Sequence, residues 1–393
     1  MQMLDSIKLL QQLLVCKSIT PTDDGAIPVV AAALEKLGFQ CKIFEFYDSE
    51  GRPVLNLYAK LGKTLPNLCF AGHVDVVPAG ALTNWQFDPF AGIIDHDVVY
   101  GRGVVDMKGA IVAFITAVSM FLSTKSKYEG TISFLITGDE EGIAINGTKK
   151  LLKSLAENNE VIGACIVGEP VSNNKIGDTI KIGARGSATF FLNIKGTQGH
   201  VACCKTDNAA TKLAGVLYKI ICVELDNGAP FFEPSNLEIT NIIVDNLAEN
   251  IVPGLASAQF NVRYNNLHTA STLYKKLRDV LLSELKETEF ELTYRSSGDA
   301  FISNLDVFAD VVVKSIHEVT GYVPEFNTSG GTSDARFIKN YCPVLEVGLL
   351  GKTAHQINEC SFISDLYVLV DIYHAIIENY FQSPVSNNTN RWI

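Results

Sequence analysis

Four short apolar stretches of this chain each run into a polar turn that carries histidine or carboxylate. Asn67–Ala71 leads into Gly72-His73-Val74-Asp75, and Thr131–Thr137 leads into Gly138-Asp139-Glu140-Glu141-Gly142. Ala164–Val167 ends in Gly168-Glu169-Pro170, and Val344–Leu349 leads towards His355. Apolar, β-rich runs this short, bounded by turns, read as buried strands. Helical patterns elsewhere in the sequence make the whole an α/β fold, in which sites form beyond the carboxyl ends of the strands. Four separate strand ends are therefore expected to deliver imidazole and carboxylate to one place.

The middle of the chain follows another pattern. Ser187–Lys195 alternates, with Ala188, Phe190, Leu192 and Ile194 on one face. A helix is predicted over Asn208–Leu225 and strands over Leu237–Asp245 and Ser257–Asn265. Ala270–Glu287 places Leu273, Leu277, Val280, Leu281 and Leu285 at helical spacing, and Glu289–Arg295 alternates again through Phe290, Leu292 and Tyr294. The order βαββαβ is the ferredoxin-like plan. The expected organisation is a discontinuous α/β domain, 1–182 and 297–393, interrupted by a module over 183–296; at 393 residues the chain has room for both. Near the start, Asp23 or Asp24 can cap a helix over Ile27–Leu37 that Gly38 ends, with strands near Cys41–Phe46 and Val54–Ala59. The polar stretch Ser383–Arg391 is expected to fray.

Composition narrows the partners. A net charge of −11 argues against nucleic acid and against anionic membrane surfaces, both of which need clustered Lys and Arg. The first residues lack the cationic and apolar regions of a secretion signal. The longest apolar stretch, Ala110–Leu122, is short for a bilayer and broken by Thr116 and Ser119. Nine cysteines, an odd number without paired metal-binding spacing, point to free thiols in a reducing cytoplasm.

The turns supply a constellation of His73, Asp75, Asp106, Glu140, Glu141, Glu169 and His355. Singly, each would be an ordinary solvated turn residue. Together they form the imidazole-and-carboxylate donor set that suits two divalent ions sharing one site. Residues two apart on an extended segment face the same side, so the Asp75 carboxylate is expected to orient the His73 ring. Asp106 precedes the apolar run Ala110–Leu122 and lies where a helix dipole favours negative charge. Glu140 and Glu141 are adjacent, so one can face an ion while the other faces the reacting water. Two acidic neighbours repel unless a cation lies between them.

These motifs, with Gly101-Arg102-Gly103 preceding Asp106-Met107-Lys108-Gly109, resemble the M20 family of di-zinc amidohydrolases and peptidases. The likeness runs from about residue 1 to 380 in the family's order. It implies a zinc-peptidase-like mixed-sheet catalytic domain whose inserted module is a lid and dimerisation domain. By that resemblance His73 and Glu169 would hold one ion and Glu141 and His355 the other. Asp106 would bridge them, and Glu140 would be general acid/base. The two ions would be zinc, with cobalt possible in the second site. The stretches Gly168–Ser187, Gly196–Ala202, Phe260–Tyr264 and Ser329–Asp334 are most similar to the desuccinylase branch of the family, which releases succinate from an N-succinylated diaminopimelate. The branch implies a homodimer in which His200 serves the partner subunit's site. Other M20 deacylases of the acetylornithine type, dipeptidases and a non-catalytic relative are the alternatives.

Arginine is scarce: eight residues, of which Arg102, Arg185, Arg263 and Arg336 fall in the matched segments. A planar, permanently charged guanidinium grips a carboxylate at two points, so Arg185 and Arg263 are the candidates for binding an anionic substrate. Asn250, Gly331 and Thr332 complete that expected set. Arg102 and Arg336 are expected to fix loops instead. The sequence departs from the branch at Cys203-Cys204, at Ala184 where an arginine is usual, and at Gly351 where an asparagine is usual. Cys203 and Cys204 would be the reactive thiols if exposed near the site.

Overall fold

The computed structural model describes residues 5–125, 128–203 and 207–383. Cys204 and the stretch 384–391 lie outside them. Within the described residues the chain packs as two units. One holds the residues up to Ile182 together with Ser303–Asn327 and those from Ser333 onward; the other is Gly183–Ile302 with Thr328–Thr332.

The first unit is built on an eight-stranded mixed sheet. Its spatial order is Gln40–Tyr47, Pro53–Gly62, Thr131–Thr137, Asn67–His73, Ala164–Val167, Val344–Glu346, Thr179–Lys181 and Glu325–Asn327. The four strands in the middle of this order, from Thr131–Thr137 to Val344–Glu346, are mutually parallel. Every residue of these four is buried, which explains why they read as continuous apolar runs rather than alternating ones. Their adjacency and common direction gather the four turns at one edge of the sheet.

Helix Gly109–Thr124 crosses this sheet and is the unit's core helix. Phe114 stacks on Phe70 with centroids 4.5 Å apart and meets Phe134 and Tyr373 edge-on. With its preceding turn, the segment Val104–Thr124 is long and apolar enough to cross a membrane, yet 83% of its apolar 18-residue window is buried inside the fold. Burial thus accounts for its apolar character. Near the chain start the helix is Ala26–Lys36. Its N-cap is Gly25, but Asp23 supplies the capping oxygen, accepting from the Ile27 N–H at 2.9 Å.

The second unit is the βαββαβ module. Its sheet runs Asn236–Ile243, Leu255–Tyr264, Gly186–Lys195, Phe290–Gly298, all neighbours antiparallel, the ferredoxin-like order. Helices Ala209–Ile221 and Ala270–Glu284 bury Leu213, Leu217, Leu273, Leu277 and Leu281 in one core with Phe190 and Phe260. The module runs on past residue 296, because Phe301–Ile302 pairs with Gly183–Ala184. Thr328–Thr332 belongs to it as well, with the Thr328 hydroxyl donating to the Phe231 carbonyl at 2.5 Å. All eight cysteines among the described residues are free; Cys222, in an apolar run, is nonetheless exposed.

Candidate metal centre

His73 is the last residue of its strand and is almost completely buried. Its Nδ1 lies 2.9 Å from the backbone carbonyl of Asp75. A carbonyl only accepts, so Nδ1 carries a proton and Nε2 is the nitrogen left to face the neighbouring carboxylates or an ion. The Asp75 carboxylate does not perform the orienting role expected from sequence. Its nearest oxygen is 3.7 Å from Nδ1. It accepts instead from the N–H groups of Glu140, at 3.1 and 3.2 Å, and Glu141, at 3.0 Å. The turn after His73 curls so that one residue holds the ring with its main chain and the acidic pair with its side chain.

The remaining groups converge on His73 and on each other. His73 Nε2 is 3.1 Å from Asp106 Oδ1 and 3.8 Å from Glu169 Oε1. His355 Nε2 is 2.7 Å from Glu141 Oε1 and 3.2 Å from Asp106 Oδ2. Asp106 therefore offers one oxygen to each imidazole. Ligand atoms of His73, Glu140 and Glu169 lie within 4.8 Å of one another, as do those of His73, Asp106 and Glu141. His355 is held in the left-handed region at φ 61°, an uncommon conformation for a residue with a side chain.

The electrostatics show what the cluster lacks. Burial, and then the neighbouring Asp106, push the Glu169 carboxyl well above its usual range; burial, and then Glu169, do the same to Glu140. Burial likewise raises Asp75 to about 6. Burial would raise Asp106 too, but hydrogen bonds from His355 and His73 outweigh it and hold Asp106 low. His355 is pushed up to about 10 by Asp106 and then Glu141. The imidazoles thus supply positive charge to a buried acidic cluster. Divalent cations would supply more of it and would leave both rings neutral as ligands, so the donor set fits a pair of such ions.

Contacts made away from the cluster bear on how the loops hold this geometry. Arg102 ties loops together, its guanidinium bonding the buried Glu359 carboxylate at 2.6 Å and reaching the His355 carbonyl at 3.4 Å. Arg336 is also packed within the fold, 3.9 Å from the buried Asp334 and over the Phe337 ring. The departure at Gly351 has a steric cause, since a Cβ there would lie 2.6 Å from the Pro170 carbonyl oxygen. Only glycine lets this segment pass so close to the Glu169–Pro170 turn. Ala184 is fully buried in a strand, where an arginine would lose its solvation.

The other expected site residues lie in the second unit. Arg185 and Arg263 form a pair of like charge. Arg185 bonds the Asn236 side-chain oxygen at 3.0 Å and has the Glu233 carboxylate at 3.8 Å. Burial, and then Arg185, lower the Arg263 guanidinium from its usual value. His200 and Asn250 come together where strand Gly199–His200 pairs with Ile251–Val252; the Asn250 carbonyl accepts from the Val201 N–H at 2.9 Å. His200 and Cys203 are exposed, and the His200 Nδ1 accepts from the Ala202 N–H at 3.1 Å. Gly331 is exposed, and Thr332 is partly buried beside it. Sequence reasoning missed Glu359, since a lone glutamate in a turn carries no local signal of burial.

A mixed α/β sheet whose parallel strands end in imidazoles and carboxylates, shared by one aspartate, defines a metal-dependent hydrolase. The chain belongs to peptidase family M20/M25/M40, whose model matches residues 69–379. It is 46% identical to a succinyl-diaminopimelate desuccinylase of Pelagibacter ubique (strain HTCC1062), over 96% of this chain and 99% of that one. It is 47% identical to a protein of the same name from Ehrlichia canis (strain Jake), with the same shares covered. Among solved structures it resembles a tripeptidase from Staphylococcus aureus with a TM-score of 0.78. That match is 20% identical and covers 97% of this chain and 100% of that one, a likeness of fold.

Proposed function

We propose that the chain is a desuccinylase that hydrolyses the succinyl amide of N-succinyl-LL-2,6-diaminopimelate, giving succinate and LL-2,6-diaminopimelate for lysine and peptidoglycan precursor synthesis. One observation carries the chemistry: the two Asp106 oxygens face two different imidazoles, 3.1 and 3.2 Å away, each imidazole having its own glutamate. The acyl group follows from the near-full-length similarity to relatives of that name.

In this reading His73, Glu169 and Asp106 would hold one divalent ion, and Glu141, His355 and Asp106 would hold the other. Zinc suits both places and cobalt suits the second. Divalent ions held by these residues would supply Lewis-acid polarisation of the amide carbonyl and would make a bound water more acidic. Glu140 accepts the proton as the water oxygen bonds to the carbonyl carbon. Glu140 then gives that proton to the nitrogen as the C–N bond breaks, so the amine leaves neutral. The enzyme acts as a cytoplasmic homodimer, with His200 of one subunit donating to the oxyanion in the other. Arg185 and Arg263 take substrate carboxylates, aided by Asn250, Gly331 and Thr332. The overall charge of −11 does not oppose an anionic substrate, because it describes the surface, whereas placed guanidinium groups act locally.

Purified protein loaded with zinc or cobalt and assayed on succinyl-diaminopimelate, acetylornithine and dipeptides tests the assignment. Turnover greatest on the succinylated substrate is expected; preference for either of the others overturns it. Arg263→Ala is expected to lower kcat/KM about 10- to 100-fold, mainly through KM. That is the range for losing a charge-assisted hydrogen bond worth about 1.5–3 kcal/mol. Unchanged KM would remove Arg263 from the substrate site.

A further inference from the structure

We infer that Glu359 is the positioning residue that fixes the Asp106 loop against the His355 segment and thereby sets the spacing of the two ion sites. This rests on the two-ion reading of the centre. Glu359 has no exposed surface. Its Oε1 accepts from the N–H groups of Val105 at 2.9 Å and Asp106 at 3.2 Å. Its Oε2 accepts from the Gly103 N–H at 3.0 Å and from Arg102 Nη1 at 2.6 Å. A carboxylate has about four lone-pair directions, and four donors meet this one.

The placement of these donors gives the carboxylate its consequence. The turn Val104–Lys108 is irregular, with Asp106 and Met107 outside helical geometry, so helix bonds do not determine where the Asp106 side chain points. The N–H of Asp106 itself is among the groups that Glu359 holds. Glu359 lies four residues after His355 on the same segment, and its own carbonyl accepts from the Gly101 N–H at 3.0 Å. Arg102, neutralised by Glu359, reaches back to the His355 carbonyl at 3.4 Å. A single buried side chain therefore joins the backbone of the shared ligand to the segment of the second imidazole. Those two ligands meet at 3.2 Å. Such supporting contacts orient metal ligands, and their loss typically costs about 10- to 100-fold in affinity or activity.

The test uses Glu359→Gln and the double variant Arg102→Met/Glu359→Gln. An amide has one acceptor oxygen, so its NH2 group must face either the Gly103 and Arg102 donors or the Val105 and Asp106 donors. Ions are titrated calorimetrically, and the visible spectrum of the cobalt form reports ligand geometry. Glu359→Gln is expected to melt earlier, to bind the second ion about 10- to 100-fold more weakly, and to lose kcat with little change in KM. The double variant removes the uncompensated buried guanidinium, so it is expected to regain thermal stability while keeping the weakened second ion and altered cobalt spectrum. Recovery of both stability and ion affinity in the double variant would overturn the inference, leaving Glu359 as a counter-charge for Arg102. Wild-type ion affinity in Glu359→Gln would overturn it as well. If Glu359→Gln fails to fold, the double variant carries the test. A wild-type protein that binds fewer than two ions would overturn the two-ion reading instead, which separates the two failures.

Discussion

Glu140→Gln is expected to keep both ions and to lose turnover by about 10²- to 10⁴-fold, the usual contribution of a positioned general acid/base. At 1.36 kcal/mol per tenfold, that is about 3–5 kcal/mol of transition-state stabilisation. The variant isolates proton transfer because glutamine preserves the shape of the side chain. The main chain of residue 140 remains anchored to the Asp75 carboxylate, at 3.1 and 3.2 Å, whatever the side chain is. The ions' own ligands, His73, Asp106, Glu141, Glu169 and His355, are untouched. KM should therefore change little, and metal analysis should still find two ions per chain. Steady-state kinetics beside metal analysis checks both halves. Turnover within tenfold of the wild type would remove Glu140 from the proton-transfer role. Loss of an ion would make it a ligand instead, a role consistent with its grouping with His73 and Glu169.

The parts of this centre that sequence reveals are those encoded next to a strand. His73, Glu140, Glu141 and Glu169 each follow a buried run within a few residues, and the parallel order of those strands brings them together. The inserted module is legible for a related reason. Alternation in Gly186–Lys195 and Leu255–Tyr264 and the leucine spacing in Ala270–Glu284 are local patterns that the packing uses directly. Contacts between distant segments are hidden. Arg102 and Glu359 are 257 residues apart, and their pairing follows only when the fold brings the Asp106 loop against the His355 segment. Asp75 illustrates a subtler limit. Spacing two residues from His73 correctly places it beside the ring. The turn then decides that its carbonyl, rather than its carboxylate, meets Nδ1. Gly351 shows the converse, a departure from the expected residue that becomes intelligible once the Pro170 carbonyl is seen 2.6 Å from where a Cβ would stand.

Asp106→Ala should have the broadest effect of any single change, because Asp106 offers one carboxylate oxygen to each imidazole, at 3.1 and 3.2 Å. Losing it takes a ligand from each ion, so activity should fall to background at any practical zinc or cobalt concentration. The stability readout is more telling than the activity. In the wild type, each ion that binds the folded chain alone adds about 2.7 kcal/mol at a hundredfold excess over its dissociation constant. Melting should rise with added metal and return to the metal-free value with chelator. In Asp106→Ala that rise should vanish or nearly so. His355→Ala, which removes a ligand from the second ion only, should retain the part of the rise due to the first. The metal-free melting points of the variants need not match, since Asp106 also accepts hydrogen bonds from both rings in the metal-free protein. The comparison is therefore made on the metal-induced shift within each protein. A full wild-type shift in Asp106→Ala would mean that the ions do not share this carboxylate. The centre would then have to be rebuilt as a single site around His73, Glu140 and Glu169, the grouping that does not include Asp106.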